Sequence, residues 1–459
     1  MSYSAPDRVT GGLVQHIIEQ RFESLPDMAR AAARTFILDS FGVALSGTRV
    51  PLVRELHGVA AAWGSGDGAR VWGTGERVPA PAAAFLNGYQ IHNQEWDCVH
   101  EPAVVHPMAV VLATLLAFAE QRGGISGSRL MLGCSVAVDV ATTIGMAAHN
   151  KLRFFRPAMC GALGATAGIA SMLGLDAATT RSALGLTYSQ ISGTMQAHVE
   201  GSPVLPMQIG FNGRAALTAI DMALRGIQGP RDFLEGPFGF FTLIDPDWQP
   251  APFAALGKVH RITELSHKPY PSGRATHGGV DGVLSLRAKH GFSNEQIESI
   301  RVLAPPLIIQ LVDRPARLDM APSYARLCLP YVVATALLNG SVDVRDFDPL
   351  ALRDPARHAL AARISVEHDG NPAVNALAPQ RVEVLLQGGQ RLSMDLPAVL
   401  GAPGRPLDRA AHLDKFRRAS RSGTVPLSES RQQELIDSVE KIEQLTDVRR
   451  LVDLLVFES

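Results

Sequence analysis

The chain has 459 residues, of which 46% are hydrophobic and 19% charged, a balance suited to a globular enzyme with one large core or two domains. The formal net charge of −1 argues against nucleic acid or an anionic membrane as a partner, because both select basic surfaces. Any anionic ligand must then be held by a local cluster of basic groups.

The opening MSYSAPDRVTGG lacks a basic segment followed by an apolar one, so no signal peptide is expected and the location is read as cytoplasmic. Val9 to Ser46, Ala80 to Ile91, Pro107 to Gln121, Gly127 to His149, Gly161 to Gly174 and Gly213 to Leu224 read as helices rich in Ala, Leu, Met and Val. Small residues crowd GALGATAGIASMLG, where missing side-chain bulk lets helices approach closely. The glycines form no phosphate loop, since G-x-x-x-x-G-K-[ST] is absent. The longest apolar runs, such as Val104 to Ala119, fall short of a bilayer span, and His106 and Pro107 interrupt that one. Cys98, Cys134, Cys160 and Cys328 are scattered without a C-x-x-C pair, which fits reduced thiols better than disulfides or a structural zinc site.

After about Leu265 the texture changes. Ser299 to Leu303 and Arg363 to Glu367 alternate polar and apolar residues. Val382 to Gln387, Gly388-Gly389 and Arg391 to Asp395 read as a hairpin, with a helical pattern from Ser323 to Leu338 between. Beyond Pro406 the chain turns charged and helical, with Ile436, Val439, Ile442 and Leu445 and then Leu451, Leu454 and Leu455 at helical spacing. The expected fold is mainly α. A discontinuous all-helical domain, residues 1–265 and 407–459, is joined to a smaller α+β domain, residues 266–406.

Two segments concentrate chemistry. Residues 87–111, NGYQIHNQEWDCVHEPAVVHPMAVV, hold His92, Glu95, Asp97, His100, Glu101 and His106 within 15 positions of apolar-flanked chain. Pro107 suits the first position of a helix, which sets His106 at a helix N-terminus where the dipole favours a neutral imidazole or a bound anion. A histidine titrating near neutrality suits general acid–base work. A solvated loop and a metal site are the rivals; H-x-x-E-x-D-x-x-H-x-x-x-x-x-H matches no ligand motif, and H-E-x-x-H is absent. Residues 266–282, SHKPYPSGRATHGGVDG, crowd His267, Lys268, Tyr270, Arg274 and His277 into a turn where the two textures meet. Clefts between domains are common ligand sites. A lysine buried there can serve as a base and Arg274 can clamp a carboxylate, while a solvated surface hinge is the bland alternative.

Together the two segments resemble the signatures of the MmgE/PrpD family, which includes 2-methylcitrate dehydratases, cis-aconitate decarboxylases and iminodisuccinate epimerases. The first is similar to H-x-x-D-[FY]-D-D-T-H…H-P. The second is similar to K-P-Y-P-x-x-x-x-T-H through Lys268, Pro269, Tyr270, Pro271, Thr276 and His277. The resemblance spans nearly the whole chain. It implies a helical domain, an α+β lid, a homodimer, and a cofactor-free active site between the two domains. It also implies catalytic roles for Glu95, Asp97, His106, Lys268 and, in CLPYVVATALL, Tyr331. Departures are Glu95 for an aspartate, Cys98-Val99 for Asp-Thr, and Arg156 for a histidine. A lysine is missing from GSPVLPMQIGFNGRAA, where Gln208 or Arg214 stands nearby.

The resulting expectation is a cofactor-independent, metal-free lyase that moves a proton next to a carboxylate of a small di- or tricarboxylate. Arg156, Arg274 and Arg214 are expected to bind carboxylates, with His100, His277 and Gln208 as further substrate contacts. Lys268 or His106 is the base, and Glu95 and Asp97 orient the histidine or act as acid. Dehydration ranks first, with epimerisation or decarboxylation as alternatives; a metal-dependent hydrolase and a non-catalytic dimeric scaffold are more distant ones.

Overall fold

The structure, a computed structural model, describes residues 9–457. Residues 1–8 and 458–459, which hold part of the leader reading and the outer ends of the expected first domain, lie outside the described residues. The architecture is mainly α with a small sheet domain.

Close backbone approach explains the small-residue stretches. Helices Gly127–Ala147 and Arg156–Leu173 cross so tightly that a Cβ on Gly164 would lie 2.4 Å from the Ala137 carbonyl oxygen, and one on Gly168 2.6 Å from that of Gly133. Gly127–Ala147 has the length and apolarity of a membrane span, yet its apolar window is 94% buried within the protein. Helix Ala80–His92 is enclosed by Asp27–Gly47, Pro107–Arg122 and Val204–Ala223, and every residue but Pro81 is buried. Its last residue, His92, is thereby delivered to the interior.

Prolines account for where the helices depart from expectation. Val9 to Ser46 is not continuous: Val9–Glu19 and Asp27–Gly47 are separate helices with Pro26 capping the second. The expected helix over Ser323 to Leu338 divides into Pro322–Ala325 and Leu329–Asn339, because Pro330 fits only a first turn. By the same rule Pro157 moves the start expected at Gly161 back to Arg156. Val204–Ala223 also begins earlier than the expected Gly213. Two short strands, Ala69–Arg70 and Arg77–Val78, interrupt the region read as purely helical.

In the second region four strands form one sheet in the order Ile364–His368, Ile297–Ala304, Gln380–Leu386, Arg391–Leu396. The first pair is parallel and the others antiparallel. Gly388 and Gly389 both take φ near +88°, the left-handed values that a tight hairpin turn demands. Alternating residues such as Ile300, Val302, Val382 and Val384 are buried, and helix His277–His290 covers the sheet. The approach is close: a Cβ on Gly282 would lie 2.4 Å from the Val382 side chain. Helix Arg409–Arg421 then returns to pack on Asp27–Gly47, so the chain's end closes against its beginning.

Candidate active site

Backbone pairing joins the two chemistry-bearing segments. Ser266 N–H donates to Val99 O at 2.8 Å and Val99 N–H to Ser266 O at 3.1 Å, so the 93–106 loop and the Lys268 turn run side by side. A second bridge, His100 to Val105, closes the loop on itself before Pro107 starts the next helix. Glu95 takes φ +54° and Val104 φ +53°, left-handed values that cost a side-chain-bearing residue on the order of 1–3 kcal/mol and cluster at functional sites.

The pairing assembles five side chains. Lys268 Nζ donates to Glu95 Oε2 and to the Glu95 carbonyl, each at 3.0 Å, and lies 3.9 Å from Asp97 Oδ1. His92 Nδ1 sits 3.0 Å from both Asp97 oxygens, and its Nε2 is 3.5 Å from Glu95 Oε1. His106 Nδ1 approaches Asp97 Oδ2 at 3.4 Å, and the two imidazoles meet edge to face with centroids 5.0 Å apart. Asp97 thus orients two imidazoles, and Glu95 bridges an imidazole to a lysine.

The electrostatics separate the two histidines. Burial works against charge on His92, but Asp97 and Glu95 outweigh it and raise its pKa. Burial and the Lys268 ammonium lower that of His106, against the pull of Asp97; the helix N-terminus acts in the same direction. Burial favours protonation of Glu95, yet Lys268, His92 and His106 bring it down to about 2. Asp97 is likewise held well below its ordinary value, against burial, by the two histidines. The result is one imidazole biased toward its charged form beside one biased toward its neutral form, braced by two carboxylates, the kind of pairing that proton transfer uses.

His92, Glu95 and His106 line a pocket whose empty space, adjoining solvent at its mouth included, is about 590 Å³. Its walls come from both regions: Leu152, Phe155, Met195 and Leu205 from the first, Arg274, Leu311 and Leu327 from the second. Lys268 has no exposed surface and meets the cavity through Glu95. Its contacts make it a donor to Glu95 and a longer-range ion-pair partner of Asp97, not a base facing the cavity as expected.

His198, which sequence reasoning missed, also lines this pocket, and Arg314 Nη2 lies 3.2 and 3.3 Å from its ring nitrogens. Burial and Arg314 lower its pKa to about 4, so it is neutral. A lone histidine in QAHVE carries no motif, and the Arg314 contact is made 116 residues away. His92 stands in the titratable cluster of the sequence without an expected catalytic role; its spacing from Asp97 is the available signal.

Other expected residues are placed differently. Arg156 lines the pocket, donating through Nη2 to Asn150 O and Asp245 Oδ2, with Nη1 buried and unpartnered. Arg274 also lines it, but its guanidinium is spent on Glu101 and on the carbonyls of His267, Val399 and Leu400, which leaves no clamp for substrate. Tyr331 lies outside the pocket lining; its hydroxyl donates to the Asp346 and Ala351 carbonyls and accepts from Arg357, so a catalytic role is not supported. His100 is fixed between Glu264 and the Ala103 N–H, and His277 faces the Ser272 carbonyl. Gln208 Nε2 donates to the Thr194 carbonyl, while Arg214 stacks over Trp63 at 4.3 Å. None of these four lines the pocket.

His92, Asp97 and His106 offer donor atoms close enough together to hold a metal ion. The fit is poor, however. His92 Nδ1 faces both Asp97 oxygens as a donor, and the Lys268 ammonium already supplies positive charge to the carboxylates.

Comparison with known proteins bears on this site. Residues 12–252 match the MmgE/PrpD N-terminal domain, and residues 270–443 the MmgE/PrpD C-terminal domain. The chain is 28% identical to cis-aconitate decarboxylase from Mus musculus, over 92% of this chain and 88% of that protein. It is 25% identical to cis-aconitate decarboxylase from Aspergillus terreus, over 94% and 93%. It is 22% identical to 2-methylcitrate dehydratase from Cupriavidus necator, over 79% and 78%.

Proposed function

Because the chain belongs to the MmgE/PrpD family, we propose that it is a lyase that makes and quenches a carbanion next to a carboxylate of a small organic acid. The observation that carries this reading is the pair of imidazoles pushed in opposite directions, His92 toward charge and His106 toward neutrality, braced by Asp97 and Glu95 on a largely apolar cavity. Loss of CO2 ranks ahead of the dehydration expected from sequence, since decarboxylases predominate among the named relatives.

In the decarboxylase reading the C–C bond to the leaving carboxylate breaks, CO2 departs, and the electron pair stays on carbon. The His92 imidazolium then protonates that carbon and recovers its proton from solvent. The apolar wall favours this step, because a buried charge is dispersed as neutral CO2 forms. Dehydration is the second reading, favoured by the neutral His106: it removes a proton next to a carboxylate while the His92 proton leaves with hydroxide as water. In both, Lys268 acts through Glu95, holding it ionised, while the two histidines hold Asp97 ionised so that it orients them. No step runs through a metal, so dialysis against a chelator is expected to leave the rate unchanged.

The test is incubation of the purified protein with a panel of carboxylates in D2O, followed by proton NMR. Carbon-bound deuterium with CO2 release supports the first reading, and new vinyl signals without CO2 the second. Deuterium uptake without net conversion would indicate the epimerase alternative. No exchange with any panel member by folded protein would overturn the proposal.

A further inference from the structure

The catalytic cavity is walled by buried side chains; of the residues that line it, only His106 and Leu311 are partly exposed. A substrate therefore has to pass a wall, and one wall is a single non-helical strip of chain, residues 149–155, leading into Arg156. Leu152, Phe155 and Arg156 are buried and line the cavity, while Lys151 and Arg153 are exposed on the outside. There they form a crevice together with Arg156 and Asp245, so Arg156 borders both spaces. Resting on the reading of the substrate as a small organic acid, we infer that this crevice is its entry port. Lys151 and Arg153 gather the anion, and Arg156 passes its carboxylate into the cavity.

The two outer cations are free for that task. Among the described residues neither Lys151 nor Arg153 has a carboxylate within salt-bridge distance. Exposed arginines elsewhere are neutralised, as Arg409 is by Glu440 and Arg421 by Glu429. Unpaired cations beside a cleft raise the encounter rate of anions by about 10–10³-fold at low ionic strength. Further in, Arg156 gives Nη2 to Asp245 and keeps Nη1 without a partner, so it can take a second carboxylate without releasing the first. An anion that met only Leu152 and Phe155 would shed its water with nothing in return. The strip is also able to part from the second region. Single hydrogen bonds tie it there, from Gln310 to the Leu152 carbonyl at 3.2 Å and from Asn375 to that of His149 at 3.4 Å. Its other side is anchored by Asp245, which accepts from the His149 and Asn150 N–H groups.

Access can be read without turnover. Leu205→Cys places a thiol on the cavity wall, and Met195→Cys gives a second reporter should the first not fold. Each is modified with the anionic 2-sulfonatoethyl methanethiosulfonate and with its cationic 2-(trimethylammonio)ethyl analogue. Every rate is divided by that of 2-mercaptoethanol with the same reagent, and the wild-type chain, whose four cysteines are buried, gives the background. At low salt the anionic reagent is expected to be favoured about tenfold or more, and less so as salt screens the port. Adding Lys151→Glu and Arg153→Glu is expected to remove most of that preference. Adding Lys289→Glu instead, at the exposed end of helix His277–His290, is expected to leave it intact. The port would be overturned by a preference that is absent before the double reversal or survives it, by an equal loss in Lys289→Glu, or by reporter thiols that neither reagent reaches. The outcome is separable from the proposed chemistry. If no carboxylate exchanges protons, the lyase reading falls, while the charge preference still decides the port.

Discussion

Two buried lysines reach one short loop from opposite sides. Lys268 donates to the Glu95 carbonyl and pairs with the Glu95 carboxylate; Lys415 donates to the Trp96 carbonyl at 2.9 Å and pairs with Asp39 at 2.7 Å. Each has a histidine pair close by: His92 and His106 beside Lys268, His267 and His412 on the Asp39 side. In residue types the two clusters are nearly interchangeable. They differ in what they face. The first opens on a cavity lined from both regions of the chain, while the second is shut between helices Asp27–Gly47 and Arg409–Arg421. Their histidines respond accordingly. Carboxylates raise His92, whereas burial and nearby Lys415 bring His267 to about 3, and burial with His267 brings His412 to about 3. Function follows from a donor left facing open space; composition alone does not identify it.

The comparison breaks most visibly through Lys268. Lys268→Met is expected to lower kcat by about 10²–10⁴-fold, the usual worth of positioned acid–base machinery, because Glu95 loses the cation that keeps it ionised and its hydrogen-bond anchor. Near wild-type turnover by folded variant would remove Lys268 from the mechanism. Lys415→Met should act on stability instead, costing about 3–5 kcal/mol in denaturant titration because Asp39 is left buried and unpaired. Adding Asp39→Leu should recover most of that loss, and failure to do so would mean that the pair does more than hold the loop.

Acid sharpens the contrast. His267 and His412 have folded values below the ordinary 6.5, so the unfolded chain binds protons first as pH falls. Their contribution to stability is present above about 6.5 and is lost as pH drops toward about 3. His412→Gln is expected to escape about 2 kcal/mol of the loss between pH 6.5 and 4.5, read from denaturation midpoints at each pH. The smallest effect is expected at Tyr331. Tyr331→Phe removes hydrogen bonds to two carbonyls, costing about 1–2 kcal/mol of stability, while kcat stays within about twofold. A large loss of kcat would restore the catalytic role expected from sequence.

Much of this was legible in the chain itself. His92 to His106 and Lys268 to His277 stood out because contiguous residues carry the chemistry, and small-residue runs marked close helix crossings. Side-chain commitments made across long sequence separations did not show. Arg274 lies where expected, yet the carbonyls that consume it come from Val399 and Leu400, 125 and 126 residues away. Tyr331 sits in a readable helix, but helical spacing does not say which face meets the cavity. Pro26 and Pro330 broke two helices that apolar periodicity alone had joined.

The most direct test of the account is the pH dependence of substrate proton exchange in wild type, His92→Gln and His412→Gln. Wild type should fall at high pH as His92 loses its proton above its ordinary range, and where His106 acts as base it should also fall at low pH as His106 gains one below its ordinary range, giving a bell. His92→Gln should lose the alkaline limb and about 10²-fold or more in rate, while His412→Gln keeps the wild-type shape. An unchanged profile in His92→Gln, or a lost limb in His412→Gln, would contradict the assignment of proton transfer to the pocket-facing cluster.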